Sequence, residues 1–228
     1  MKLLIFDIDG TLTSLDGATY RAYSKAFLEV FGREPVTEGL SMHGRTDPLI
    51  FRECFERTGL RGDWRQGYDE FKPRYLAHLP EAISSSPRAK VHAGVRELLD
   101  SLRSKPTEFA LALGTGNMEP GARAKIGHFG LNKYFPVGGF GDIHEERYLI
   151  MRDAVAEAAQ HYKYNFEPEM TWVIGDTAFD VEGARLAGLR SLAVATGGKY
   201  SIEMLRQTGA DAVVENLSDT QEILGLFV

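Results

Sequence analysis

Cysteine is all but missing from this chain of 228 residues, since Cys54 stands alone. One thiol forms no internal disulfide and has no second cysteine with which to build a zinc knuckle, so Cys54 reads as a packing residue. Long apolar runs are missing too. The stretch Leu3–Phe6 stops at Asp7, far short of the roughly 20 residues that cross a bilayer, and it lacks the h-region and small-residue cleavage site of a signal peptide. The expectation is a soluble, cytoplasmic protein that does not engage a membrane. Basic clusters are absent, and the formal net charge is −6. That balance argues against a non-specific nucleic-acid binder, because phosphate backbones are held by clustered Lys and Arg. It leaves room for a small phosphorylated ligand, since a metal ion and one or two local cations reverse the sign inside a cleft. The six histidines are scattered, and no pair has the i, i+4 spacing of a zinc helix.

What is present is a rhythm. Short apolar runs bounded by Gly, Asp or Pro occur at Leu3–Phe6, Phe109–Gly114, Thr171–Gly175, Ser191–Ala195 and Asp211–Val214. Continuous runs of this kind suit strands buried on both faces. Helical patterns fall between them at Gly94–Arg103, Pro120–Phe129, Tyr148–Gln160 and Asp180–Ala187, and the alternation predicts an α/β fold with a parallel sheet covered by helices on both faces. From about Leu15 to Pro87 the rhythm breaks. Ala18–Phe31, Pro48–Thr58 and Trp64–His78 carry apolar residues at three- and four-residue spacing with no convincing strand among them, and the region ends in a hinge-like Ser84-Ser85-Ser86-Pro87. The expectation is a core of residues 1–14 and 88–228 with an inserted helical domain over 15–87.

In an open parallel sheet, ligands bind beyond the carboxyl ends of the strands, and the notable polar residues fall there. Asp7 and Asp9 end the first strand, Thr115, Gly116 and Asn117 end the second in LALGTGN, and Asp176 and Asp180 follow the third in WVIGDTAFD. Any one of these is an ordinary turn or cap residue. Together they bring polar groups from three strands to one edge. Asp7 and Asp9, separated by one residue, point to the same side of an extended chain. Held that close they repel unless a cation lies between them, and with Asp176 they make a hard-oxygen site suited to Mg²⁺. Gly10 lets the chain turn sharply, and Thr11 helps place backbone N–H groups on an anion. One carboxylate can attack phosphorus while its neighbour protonates the leaving alkoxide and later activates water.

DIDGT after the first strand, LGTGN after the second and GDTAFD after the third resemble the haloacid dehalogenase-like superfamily of phosphohydrolases, with motifs in the right order along the whole chain. The likeness to its phosphoglycolate phosphatase-like members implies a Rossmann-like core, Asp7 as nucleophile and Asp9 as general acid/base. It implies Mg²⁺ on the carboxylates of Asp7 and Asp176 and on the main-chain carbonyl of Asp9, with Asp180 supporting the metal end. Thr115 would bond the transferring phosphoryl group, with Gly10, Thr11, Gly116 and Asn117 beside it. The helical insert looks like the family's mobile cap. Many members carry a Lys-Pro pair shortly before the third motif, but here that stretch reads FGDIHEERYLI. The phosphoryl-neutralising cation is therefore sought at Lys125 or at Arg147, with Lys125 favoured. In the insert, SMHGRTDP offers Arg45 to a polar or anionic substrate part, or else a helix start with Thr46 or Asp47 as cap and Pro48 at the first helical position.

Asp9 argues against dehalogenation, which has no call for a second acid, and against the ion-pumping relatives, which place Thr there. The cap lysines Lys25 and Lys72 sit in no setting that marks a phosphonatase. The expected activity is hydrolysis of a small phosphorylated metabolite, by a monomer or homodimer. The alternatives are a sugar phosphomutase of the β-phosphoglucomutase type and a non-catalytic phospho-ligand sensor. Phosphoglycolate, a sugar phosphate and a nucleotide monophosphate all fit.

Overall fold

The computed structural model describes residues 1–142 and 144–227. Its main sheet has six parallel strands: β1 (Lys2–Phe6), β4 (Phe109–Thr115), β5 (Val137–Phe140), β6 (Thr171–Gly175), β7 (Arg190–Val194) and β8 (Ala212–Val214), in the order β5-β4-β1-β6-β7-β8. Two short strands, β2 (Thr13–Ser14) and β3 (Lys90–Val91), pair with each other instead, antiparallel, with Thr13 opposite Val91. No helix is long and apolar enough to cross a membrane among the described residues.

Period-2 alternation splits the sheet's side chains between two layers. Leu4 and Phe6 of β1, Leu111 and Leu113 of β4, and Trp172 and Ile174 of β6 face one cluster. It is closed by helices α4 (Val95–Arg103), α5 (Glu119–His128) and α9 (Thr220–Leu226). Leu3, Ile5, Ala110, Ala112 and Val173 face the other, beneath α6 (Arg147–Tyr162) and α7 (Ala178–Ala187). The short α8 (Ile202–Arg206) covers the far edge through Leu205, against Val181 and Ala193. This is the parallel sheet with two helical layers that the alternation predicts.

Register places the polar strand ends together. Phe6 lies opposite Leu113 on β4 and Ile174 on β6. One residue further on, the Asp7 N–H donates to the Ile174 carbonyl at 2.9 Å. Asp7, Thr115 and Asp176 therefore emerge side by side because β1 is the middle strand of the three, at the edge where such sheets bind ligands.

Between β2 and β3 lie three helices, α1 (Ala18–Phe31), α2 (Asp47–Arg57) and α3 (Trp64–Ser84). They enclose an aromatic cluster of their own, in which the ring of Phe51 lies 4.9 Å from Phe71 and 5.1 Å from Tyr68 between centroids. Met118, at the start of α5, joins this cluster from the sheet side, with Ala124 and Phe129 packed against it. Helix α3 is longer than its periodicity predicts. It passes through Pro73 and Pro80 to Ser84, because Tyr75, Leu79 and Ile83 keep its buried face packed in the cluster while each proline removes only one backbone donor. Strand β5, with sequence VGGF, has no counterpart among the predicted strands.

Truncating Phe51, which is fully buried, to Ala is expected to cost about 3 to 5 kcal/mol in chemical denaturation, the range for a large core aromatic. A loss below about 1 kcal/mol would show that the helical insert does not depend on its aromatic cluster.

Candidate active site

At the end of β1, Asp7 is buried while the Asp9 side chain is 43% exposed to a cavity of about 340 Å³ between the sheet edge and helices α1–α3. Gly10 makes the turn between them and the rest of the loop. Its φ of +88° favours glycine, and a Cβ there would strike the Asp176 carboxylate. The loop is pinned from the other side by the Thr196 hydroxyl, which donates to the Gly10 carbonyl at 2.6 Å.

Two groups of charges result, one around each aspartate. Ligand oxygens of Asp7, Asp176 and Asp180 lie within 4.8 Å of one another. Into this group reaches Arg147, from the first turn of α6, with Nη2 2.8 Å from Asp7 Oδ1 and also hydrogen-bonded to Asp180 Oδ1. Asp180 is fully engaged, because its Oδ2 accepts from the Thr177 N–H at 3.0 Å and from the Thr177 hydroxyl at 2.7 Å in a capping box that starts α7. Asp176 is not. Thr11 donates to its Oδ1 at 3.3 Å, but its buried Oδ2 has no hydrogen-bond partner.

Around Asp9 the arrangement is different. Lys125, 1% exposed, reaches from α5 with Nζ 2.6 Å from Asp9 Oδ2 and 2.5 Å from Asn117 Oδ1. Asn117 Nδ2 donates to the same Asp9 oxygen at 2.9 Å and to Thr115 Oγ1 at 2.8 Å. Both cations found in the sequence therefore reach the centre, Lys125 on the Asp9 side and Arg147 on the Asp7 side. An isolated Arg in HEERY carries no local sign of this, since its partners are supplied by β1 and α7.

Burial, more than the neighbouring charges, pushes the carboxyl of Asp7 up to about 6 in spite of Arg147, with Asp180 and Asp9 adding to the rise. Burial likewise pushes Asp176 up to about 8, reinforced by Asp180 and Asp7. Burial opposes the charged guanidinium of Arg147, but Asp180 and Asp7 outweigh it and raise its pKa. Three carboxylates compressed in this way, one of them with a bare buried oxygen, fit a hard divalent cation. The side chain of Asp9 stands outside that group.

Segment 44–47, ahead of α2, is wedged between two loops of the site. A Cβ on Gly44 would meet Phe179 and Thr177, and one on Gly116 would meet the Arg45 carbonyl. The Asp47 N–H donates to the Gly116 carbonyl at 2.9 Å, and the Asp47 carboxylate accepts from the Met118 N–H at 2.9 Å. Thr46 holds the capping position of α2 without a side-chain bond, and Asp47 caps the start of α5 rather than its own helix. Arg45 borders the cavity, but its Nη2 pairs with Glu53 Oε2 at 2.6 Å.

Asp7, Asp9, Thr115 and the carboxylates of Asp176 and Asp180 thus meet at one edge of a doubly wound sheet, where such folds bind ligands. Residues 1–188 match the family profile described as haloacid dehalogenase-like hydrolase, and the chain belongs to that family. It is 29% identical to a phosphorylated carbohydrates phosphatase of Thermotoga maritima, over 100% of this chain and 98% of that one. It is 26% identical to a phosphoglycolate phosphatase of Chromobacterium violaceum, over 98% of this chain and 96% of that one. Among solved structures, a hydrolase from Pseudomonas syringae superposes with a TM-score of 0.71 at 21% identity, covering 99% of this chain and 98% of the other. The chain is accordingly an enzyme of the phosphatase type, acting on phosphorylated substrates.

The raised carboxyls set the sign of a pH effect. Asp7 and Asp176 hold their protons in the folded state to about 6 and about 8, so between their ordinary value of 3.8 and those values the folded state binds more protons than the unfolded one. Stability then falls as pH rises. With the metal chelated, thermal unfolding is expected to come at a lower temperature at pH 8.5 than at pH 5.5, by about 2 to 4 °C for each kcal/mol lost. Adding a divalent cation at pH 8.5 should restore it. An unfolding temperature that rises over this window would contradict the crowded-carboxylate reading.

Proposed function

We propose that this enzyme is a Mg²⁺-dependent phosphomonoesterase that hydrolyses a small phosphorylated metabolite through an aspartyl-phosphate on Asp7, with Asp9 as general acid/base. The observation that carries this reading is the separation of the two aspartates into different electrostatic settings. Asp7 is buried against Arg147 and the acidic pocket, whereas Asp9 lies open to the cavity and is held by Lys125 and Asn117. Paired acids need such a division of labour, one to attack and one to carry the proton.

Arg147 occupies Oδ1 of Asp7, which assigns attack to Oδ2. As the bond from Oδ2 to phosphorus forms, the bond to the ester oxygen breaks, and Asp9 gives its proton to the leaving alkoxide. Water then attacks phosphorus, Asp9 takes its proton, and the Asp7–phosphorus bond breaks to release inorganic phosphate. Thr115 Oγ1, fixed by Asn117, lies where it can donate to a phosphoryl oxygen. Gly10, Thr11 and Gly116 shape the backbone around the same group. Lys125 serves both partners: a phosphoryl oxygen competes for its ammonium, and loosening of the Asp9 pair lets Asp9 take up the proton it must deliver. Asp7, Asp176 and the Asp9 main-chain carbonyl, with Asp180 in support, would hold Mg²⁺, which would supply neutralisation of the phosphoryl charge. Residues 15–87 act as a cap that shuts out bulk water, so that these charges work in a low dielectric.

Asp7→Asn is expected to lower metal-dependent phosphate release from an aryl phosphate by about a thousand-fold or more, with circular dichroism unchanged. Substantial turnover by that variant would refute the nucleophile assignment. Lys125→Ala and Arg147→Ala should each reduce kcat/KM severely. Only Arg147→Ala should also shift the metal concentration needed for half-maximal rate, because Arg147 sits among the carboxylates that would take the ion.

A further inference from the structure

The geometry points to a specificity filter on the cap side of the cavity: the Tyr75 hydroxyl and the Asp47 carboxylate select phosphate esters of uncharged, hydroxyl-bearing alcohols over esters of hydroxy acids. This rests on the phosphomonoesterase reading and narrows its leaving group.

The cavity lining mixes apolar side chains, among them Met42, Ile50, Phe71 and Met118, with polar ones, and the polar groups left without a partner in the fold are the ones free to recognise a ligand. Tyr75, from α3, lines the cavity and is 2% exposed, yet its hydroxyl has no hydrogen-bond partner. Tyr75 shares the lining of this one cavity with Asp9 and Asp47. An unanswered buried hydroxyl is a standing cost that a ligand oxygen would remove. Four other buried atoms on the lining also lack a partner: Thr13 Oγ1, the Tyr23 hydroxyl, His92 Nε2 and Arg147 Nε. Burial pulls the pKa of His92 down, towards the neutral ring, so all of them but Arg147 Nε belong to uncharged hydrogen-bonding groups suited to hydroxyls.

The charges lead to the same conclusion. Among the described residues lining the cavity, every Lys and Arg is already matched: Arg45 with Glu53, Lys125 with Asp9, and Arg147 with Asp7 and Asp180. Asp47 is the reverse case, a carboxylate that accepts from the Met118 N–H and has no ion-pair partner within 4.0 Å among the described residues. A carboxylate on the leaving group would be brought towards Asp47 with no cation to offset it. A hydroxyl in the same place donates to Asp47 and accepts from Tyr75.

The test is a matched pair of esters, glycerol 3-phosphate and 3-phosphoglycerate, which differ in having a hydroxymethyl or a carboxylate at the far end. Phosphate release from each, and from an aryl phosphate, is followed with Mg²⁺ at pH 8, above the ordinary histidine range. The expected kcat/KM favours glycerol 3-phosphate by about ten-fold or more. Tyr75→Phe should shrink that ratio at least about three-fold by raising KM for the glycerol ester, with no loss of thermal stability, because the hydroxyl has no partner in the fold. Glu53→Gln should shrink the ratio as well, by releasing Arg45 and so improving the use of phosphoglycerate. Equal or better use of phosphoglycerate by the native enzyme, or a ratio untouched by Tyr75→Phe, overturns the filter while leaving the hydrolase reading in place. No phosphate from any of the three esters sinks that reading, and the filter with it.

Discussion

Like charge crowded at the end of β1 is the constraint on which the rest of the site depends. Asp7, Asp176 and Asp180 are delivered by strand register and by a helix start, and sheet geometry leaves them no freedom to separate. Something positive must therefore reach the same point. Arg147 does so from the first turn of α6, bridging Asp7 and Asp180, and this fixes how α6 lies against the sheet. A helix that slid by one turn would leave two buried carboxylates without a partner, at a cost of several kcal/mol.

The second constraint is close packing. Segment 44–47 leaves no room for a Cβ at two glycines: one on Gly116 would strike the Arg45 carbonyl, and one on Gly44, within the segment, would strike the Thr177 and Phe179 side chains. Asp47 gives the crossing its direction by capping α5, the helix that also carries Lys125. The cap is thereby keyed to the loop that holds Thr115 and Asn117, and its position and theirs are parts of one arrangement.

Much of the sheet was legible in the sequence, because buried parallel strands must be apolar throughout and must end where polar loops begin. The runs at Leu3–Phe6, Phe109–Gly114 and Thr171–Gly175 declare themselves for that reason. VGGF does not. Gly139 is demanded by α6, whose Ile150 carbonyl would clash with a Cβ there, and Gly138 by Leu113 of β4, so what suits the neighbours erases the strand's own signature. The carboxylates of the site were equally visible, since three polar loops following three apolar runs is a pattern with few other causes. Their partners were less so. Lys125 and Arg147 look like any surface cation until the fold removes them from water, and Arg45 and Asp47 have meaning only through Glu53 and Met118, which local spacing does not bring to mind. Pairings between distant elements are what a one-dimensional pattern conceals.

The small β2–β3 ladder joins the two crossings between the sheet and the cap helices. In the main sheet β1 must find β4, its partner across the whole of that insert, and closing a long flexible loop costs entropy that grows with its length. Helices α1 to α3 pack mainly on one another, through contacts that lie within the insert. Once they have condensed, the loop that β1 and β4 must close is no longer the insert but the short gap spanned by Thr13 and Val91. An insertion that would otherwise slow assembly of the innermost ladder becomes, by having adjacent ends, nearly invisible to the topology it interrupts.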